Sequence, residues 1–242
     1  MPPRIHVSSG LAAGAELALP AGAARHVQVL RLQPGDALAL FDGAGGQWAA
    51  TVTRMGRGEV RVRLGAHQAI EREAARAVHL AAGLMAAERM DWLVEKAAEL
   101  GAASLRPLLT ERASLRLNGE RAEKKRAHWH AVAAASCEQN GRNRLLDVRG
   151  QLLFQEHIRA PAPAGQALWL LSLHAGAAPL SQALAALAPD QPVCLLSGPE
   201  GGLSASEEAA AQAAGYRPVG LGPRVLRAET APLAALAALT LL

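Results

Sequence analysis

Residues 195–231 read LLSGPEGGLSASEEAAAQAAGYRPVGLGPRVLRAETA and hold two glycine-bearing loops, at 197–202 and 220–227. Each loop follows a short apolar run with the composition of a buried strand, 193–196 and 216–221, and each precedes an alanine-rich helical pattern. Ser204 stands three residues before Glu207, which predicts a capping box in which hydroxyl and carboxylate each satisfy an orphan N–H. Gly215 supplies a left-handed stop to that helix. Strand–loop–helix twice over predicts parallel neighbours, with both loops at the carboxyl ends of their strands, where open α/β sheets bind ligands. A glycine admits positive φ and has no side chain, so such loops can bend sharply and offer their own N–H and C=O groups to a ligand. Gly201 and Gly202 taken alone read equally well as a tight turn into a helix.

The two loops together carry a resemblance. GPEGGLS followed by LGPRVLRAETA resembles the paired signature of the SPOUT methyltransferases that make N3-methyluridine in 16S rRNA, both halves standing in the family's order and at its distance. The resemblance implies an α/β fold with a deep trefoil knot at its C-terminal end and a homodimer. It implies S-adenosylmethionine as cofactor, bent among the knot loops. It also implies a cofactor pocket drawn from Leu196, Gly198, Pro199, Glu200, Gly201, Leu221, Gly222, Leu226, Thr230 and Ala231, with Leu173 bordering it from the end of an earlier strand. Threaded chains are nearly absent among folds, so the knot rests on the resemblance alone.

Composition sets the frame for two modest domains in 242 residues. The net charge of +4 suits a polyanionic partner. That charge is uneven: residues 106–149 hold ten Arg/Lys against five Asp/Glu, and 150–242 hold four against six. The basic excess therefore precedes the glycine loops. Two cysteines are too few for a disulfide framework or a Cys-based zinc site, and the eight histidines show no ligand spacing, so no metal is expected. No run approaches the roughly 18 apolar residues of a membrane span, and the N-terminus has no apolar signal core. A cytoplasmic protein is expected.

Residues 1–72 read as short strands between glycine turns, at 37–41, 47–53 and 59–64, which suggests a small all-β barrel. The piece around Arg25, His26 and Arg31 resembles the start of the PUA-like, RNA-binding domain that precedes the knot in this family. These three residues are read as phosphate contacts, or equally as a solvated basic face. The resemblance implies that residues 73–242 form the SPOUT domain. Within it a strand at 78–84 leads to a helix at 88–101, where Met90, Leu93, Val94, Ala97 and Leu100 recur at helical spacing. A strand at 104–109, a loop at 110–114 and a helix at about 120–139 follow. Residues 151–165 read as a loop, 166–173 as a buried strand and 180–187 as a short helix. Arg112 lies in a stretch the family places near its substrate. The helix ending Cys137-Glu138-Gln139-Asn140-Gly141-Arg142 resembles the family's Glu-Gln-x-x-Arg motif, in which Gln139 can read a base edge and Arg142 can hold a phosphate or stack on a base.

Methylation of uracil N3 needs the imino proton to leave and the base to be unpaired. A cation beside the base stabilises the anion, and Arg227 is the first candidate, with Arg142 second. A carboxylate accepts the proton, and Glu229 and Glu138 are the candidates. Glu229 has a structural alternative as a cap on the last helix. Two other functions fit the residues: a SPOUT enzyme acting on a ribose 2′-hydroxyl or a tRNA base, and an RNA-binding protein without catalysis.

Overall fold

The computed structural model describes residues 2–8 and 10–241. They fall into two compact units, Met1–Glu73 with Ala134–Leu145, and Ala74–Ala133 with Leu146–Leu242.

The first unit contains β1 (Arg4–His6), β2 (Glu16–Ala18), α1 (Ala21–Val29), β3 (Ala37–Phe41), β4 (Gln47–Met55) and β5 (Val60–Gln68). Their ladder order is β1-β3-β4-β5-β2, with β1 parallel to β3 and the other pairs antiparallel. Val60, Val62 and Leu64 alternate inward along β5 and meet Ile5, Leu38, Leu40 and Val52 in one apolar cluster. Two departures from the all-β barrel are plain. The ladder is an open path with β1 and β2 at its edges, and α1 packs Ala24 and Val27 into the cluster. That helix starts after Pro20 without a side-chain cap, so it lacks the usual start signal. It ends in a Schellman turn: Leu32 N–H reaches Val27 O and Arg31 N–H reaches Gln28 O, with Arg31 itself at φ 58°.

The segment Ala134–Leu145 joins this unit through polar contacts. Arg4 lies 4.7 Å over the Phe41 ring and donates to the Arg142 carbonyl at 2.9 Å and to Asn143 Oδ1 at 2.7 Å. Glu138 accepts the His6 N–H at 2.8 Å and pairs with His26 Nδ1 at 3.0 Å. Arg142 is buried against Glu73, its Nε donating at 3.0 Å.

The second unit holds β6 (Val78–Gly83), α2 (Ala87–Glu99), β7 (Ser104–Leu109), the greater part of α3 (Gly119–Asn140), β8 (Asp147–Val148), β9 (Leu152–Leu153), α4 (Phe154–Arg159), β10 (Ala167–Leu171), β11 (Ala178–Pro179), α5 (Leu180–Ala185), β12 (Val193–Ser197), α6 (Ala205–Ala213), β13 (Arg217–Gly220) and α7 (Thr230–Thr240). The sheet is parallel throughout, in the order β11-β13-β10-β12-β6-β7-β8, with β9 also on β7. Both faces are covered, which is why β12 (VCLLS) is buried along its whole length. Leu80, Leu105, Trp129, Trp169, Leu195 and Leu236 meet in one cluster, and Ala81, Leu108, Leu170, Cys194, Leu196 and Tyr216 in another. Each fully buried leucine contributes about 1.5–3 kcal/mol of transfer free energy.

The stripe Met90, Leu93, Val94 and Ala97 is buried on α2, while Asp91 on the same helix accepts from Trp129 Nε1 and Lys125 Nζ, both at 2.9 Å. The stretch expected as a loop at 151–165 contains β9 and α4 before its prolines. Beyond β13 the chain returns as α7, which packs on β6, β12 and α2.

Candidate functional site

Strands β13, β10 and β12 are neighbours, so the loops after all three emerge along one edge of the sheet. There they enclose a cavity of about 290 Å³. Of the residues expected at a cofactor, Leu173, Gly198, Pro199, Glu200, Gly201, Leu221, Leu226 and Ala231 line it. Leu196 is buried beneath in β12, while Gly222 and Thr230 are exposed and outside the lining. The structure adds Ser197, Val225 and Ala228 to the wall. A larger cavity of about 490 Å³ beside β10, β13 and α5 touches neither glycine loop, so size alone does not locate this site.

Close backbone approach explains the small residues. A Cβ on Gly198 would lie 2.6 Å from Leu203 N, and one on Gly83, the last residue of β6, would lie 2.5 Å from Pro199 Cδ. Gly202, at φ 69°, closes a turn by donating its N–H to Pro199 O at 2.8 Å. The expected capping box is present at the start of α6, with Ser204 and Glu207 exchanging bonds. Glu207 does more than cap: its second oxygen accepts the Glu111 N–H at 2.8 Å, fastening the loop after β7 to the helix start.

The loop after β12 is gripped from outside by four groups, three of them through its own Glu200. Arg112 donates to the Gly201 carbonyl at 2.9 Å. Glu200 accepts the Ala86 N–H at 2.9 Å and the Ser114 hydroxyl at 2.7 Å, with Arg89 at 3.4 Å. Burial pushes the Glu200 carboxyl up, but these hydrogen bonds and the Arg89 charge outweigh it and hold the group below the usual carboxylate range. Glu200 is therefore a fixed anion that shapes the loop.

Two polar groups near the cavity are buried without a partner among the described residues. The Ser197 hydroxyl lies in the wall at the end of β12, and Glu229 Oε2 lies beside the α7 start, where the side chain makes no capping bond. Buried polar atoms are rarely left so, and a bound ligand is one means of satisfying them. The signal for Ser197 was a hydroxyl closing an otherwise apolar strand. Arg227 is exposed and has no carboxylate partner among the described residues.

The other expected residues lie elsewhere. Arg25 and Arg31 are exposed in the first unit, Gln139 is exposed near the end of α3, and His26 is half-buried on Glu138. Arg142 and Glu138 have their charges engaged by Glu73 and His26 within the first unit. Among the described residues no cluster of His, Cys, Asp or Glu suits a metal ion, and no helix is long and apolar enough to cross a membrane.

Comparison with known proteins agrees with this geometry. Residues 72–240 match the family model described as an RNA methyltransferase domain, and residues 19–65 match an RNA methyltransferase PUA domain. The chain is 34% identical over 212 residues to Ribosomal RNA small subunit methyltransferase E of Synechocystis sp., covering 87% of this chain and 67% of that one. It is 33% identical over 217 residues to the protein of the same name from Mycobacterium tuberculosis, covering 88% and 81%. Among solved structures, that of a Ribosomal RNA small subunit methyltransferase E from Neisseria gonorrhoeae bound to S-adenosyl methionine superposes with a TM-score of 0.91 at 33% identity, covering 98% of this chain and 96% of that one.

Proposed function

The chain belongs to the RNA methyltransferase family, and we propose that it methylates 16S rRNA of the small ribosomal subunit at a uracil N3, with S-adenosylmethionine as methyl donor. The observation that carries the reading is the meeting of the three loops after β13, β10 and β12 around one cavity. The residues present fit the cofactor: a loop whose backbone packs too closely for a Cβ at Gly198, an apolar wall of Leu173, Leu221 and Leu226, and the orphaned Ser197 hydroxyl. The backbone of Gly198, Gly201 and Leu221, with Ala231 in the first turn of α7, would hold it. When bound, it supplies a methyl group on a sulfonium sulfur.

What the chain itself must do is prepare the base. Arg227, exposed and without a carboxylate partner among the described residues, stabilises the negative charge that develops on uracil as its imino proton leaves. Glu229 Oε2, buried without a partner, accepts that proton. The loop grip of Arg112 and Glu200 fixes the crevice in advance, so little ordering is left to binding. We assign residues 1–72 to RNA binding, with Arg25 and Arg31 as exposed phosphate contacts, and residues 73–242, as a SPOUT domain with a C-terminal knot, to methyl transfer. The enzyme works in the cytoplasm as a homodimer, a pairing that would cover the exposed Trp92 on α2 and Leu241 beyond α7.

Calorimetry with S-adenosylmethionine tests the reading. Binding that is weakened by Gly198→Ala, whose Cβ would stand 2.6 Å from Leu203 N and push the loop out of shape, supports it, and absence of binding to the wild-type chain contradicts it.

A further inference from the structure

A second cavity, of about 310 Å³, opens at the opposite edge of the same parallel sheet. Its floor comes from the first residues of the strands: His79 in β6, Ser104 and Arg106 in β7, Cys194 in β12 and Leu168 in β10. The glycine loops leave the last residues of β10, β12 and β13, so the two cavities are separated by the length of the strands. Nothing in the methyl-transfer reading uses this place.

Its chemistry is cationic. Arg106 donates to the Gly150 carbonyl at 3.1 Å and Arg149 pairs with Asp147 at 2.8 Å. Burial, then the charge of Arg149, lowers the Arg106 pKa, so two guanidinium groups repel one another across the cavity with one carboxylate to offset them. The histidines are held as neutral partners. His79 Nδ1 lies 2.8 Å from the Ser104 hydroxyl, and His157 Nε2 lies 2.8 Å from the Tyr216 hydroxyl. Burial and the Arg106 charge depress the His157 pKa to about 4, and burial pushes the Cys194 thiol up. The Cys194 thiol, kept protonated by burial, has the Tyr216 hydroxyl at 3.5 Å as its partner and no imidazole base among the described residues, so this is a place for binding rather than reaction. Pro161, Pro163 and Ile158 give it an apolar wall, and Gln166 also lines it.

We propose that this cavity is a second ligand site, which takes a small organic phosphate monoester of mononucleotide size, the phosphate on Arg106 and Arg149 and the organic body against the proline wall. Paired guanidinium groups match phosphate oxygens in both charge and geometry. A cavity of this volume is wider than inorganic phosphate requires and is of the order used for small organic ligands.

Calorimetric titration of the full chain with inorganic phosphate and with uridine 5′-monophosphate tests the assignment, with S-adenosylmethionine titrated separately as a reporter of the glycine-loop crevice. Both phosphates are expected to bind, the nucleotide more tightly. Arg149→Gln, at a half-exposed side chain, should weaken both by about tenfold, the loss of one charge-assisted contact. Arg106→Gln should do the same. S-adenosylmethionine binding should be unchanged in the Arg149 variant and should not displace the nucleotide. Absence of binding at millimolar concentration, undiminished binding in both variants, or displacement by S-adenosylmethionine would each overturn the proposal. Failure of S-adenosylmethionine to bind the wild-type chain would instead count against the methyl-transfer reading.

Discussion

Arg112 donates to the carbonyl of Gly201 at 2.9 Å across 89 positions of sequence, so the glycine loop after β12 takes its shape partly from a side chain in the loop after β7. Gly201 also lies so close that an added Cβ would stand 3.2 Å from Arg112 Cβ. Removing the guanidinium frees the loop without touching the core. Arg112→Ala is therefore expected to weaken S-adenosylmethionine about tenfold, the worth of one pre-formed charged hydrogen bond, while leaving the unfolding midpoint nearly unmoved. Calorimetry and denaturant unfolding on one preparation check both halves. Unchanged affinity would remove Arg112 from loop shaping.

Gly83 and Pro199 make the tightest backbone approach around the site. An alanine at 83 would set its methyl 2.5 Å from Pro199 Cδ and 2.6 Å from Pro199 N, neither of which belongs to a flexible side chain. Gly83→Ala should cost about 1–3 kcal/mol of stability, as overpacking does. Urea unfolding at constant slope reads this directly.

Glu200 gives the site an acid limit. Its carboxyl is held below the ordinary range, so the stability it adds is complete above the unfolded-state pKa and is lost as pH falls through the lower folded-state value. The stability difference between wild type and Glu200→Gln should be constant near neutrality and shrink below about pH 4, where an ordinary glutamate titrates. Acid titration of the two proteins in urea measures it. A difference independent of pH down to full unfolding would mean that Glu200 is not held as an anion.

Arg31 occupies a left-handed backbone position, φ 58°, that favours glycine. Arg31→Gly should leave stability unchanged or raise it by up to about 1 kcal/mol, because relief of the left-handed strain exceeds the entropy glycine adds to the unfolded chain. If Arg31 touches RNA phosphate, the same variant should bind RNA less tightly with a shallower salt dependence. Thermal unfolding and a salt titration separate the two roles.

The sequence was most legible where local chemistry decides structure. The Ser204–Glu207 cap, the Gly215 stop and the buried stripe on α2 depend on neighbours a few residues away, and all are present. Helix α1 was hidden because it begins after Pro20 with no side-chain cap and buries only Ala24 and Val27. Helix α4 was hidden among prolines that lie just beyond its end. The placing of 134–145 with the first unit could not be read at all. It depends on Arg4, His6 and Glu73, whose pairing with Arg142, Asn143 and Glu138 spans most of the domain's sequence. Residues 138–142 read as substrate contacts because they match a motif, yet the carboxylate of Glu138 and the guanidinium of Arg142 are spent within that unit. For the crevice, the glycines marked the place, but the grip of Arg112 and Glu200 needed the fold.

The central claim is that this chain places a methyl group on small-subunit rRNA from the crevice between its glycine loops. Mass mapping of 16S rRNA from cells lacking the protein, complemented with wild type or with Arg227→Ala, tests it most directly. One uridine should lose its N3-methyl group without the protein, regain it with wild type and stay unmodified with Arg227→Ala, a variant that should still bind S-adenosylmethionine. The same 16S methylation pattern with and without the protein would contradict the account.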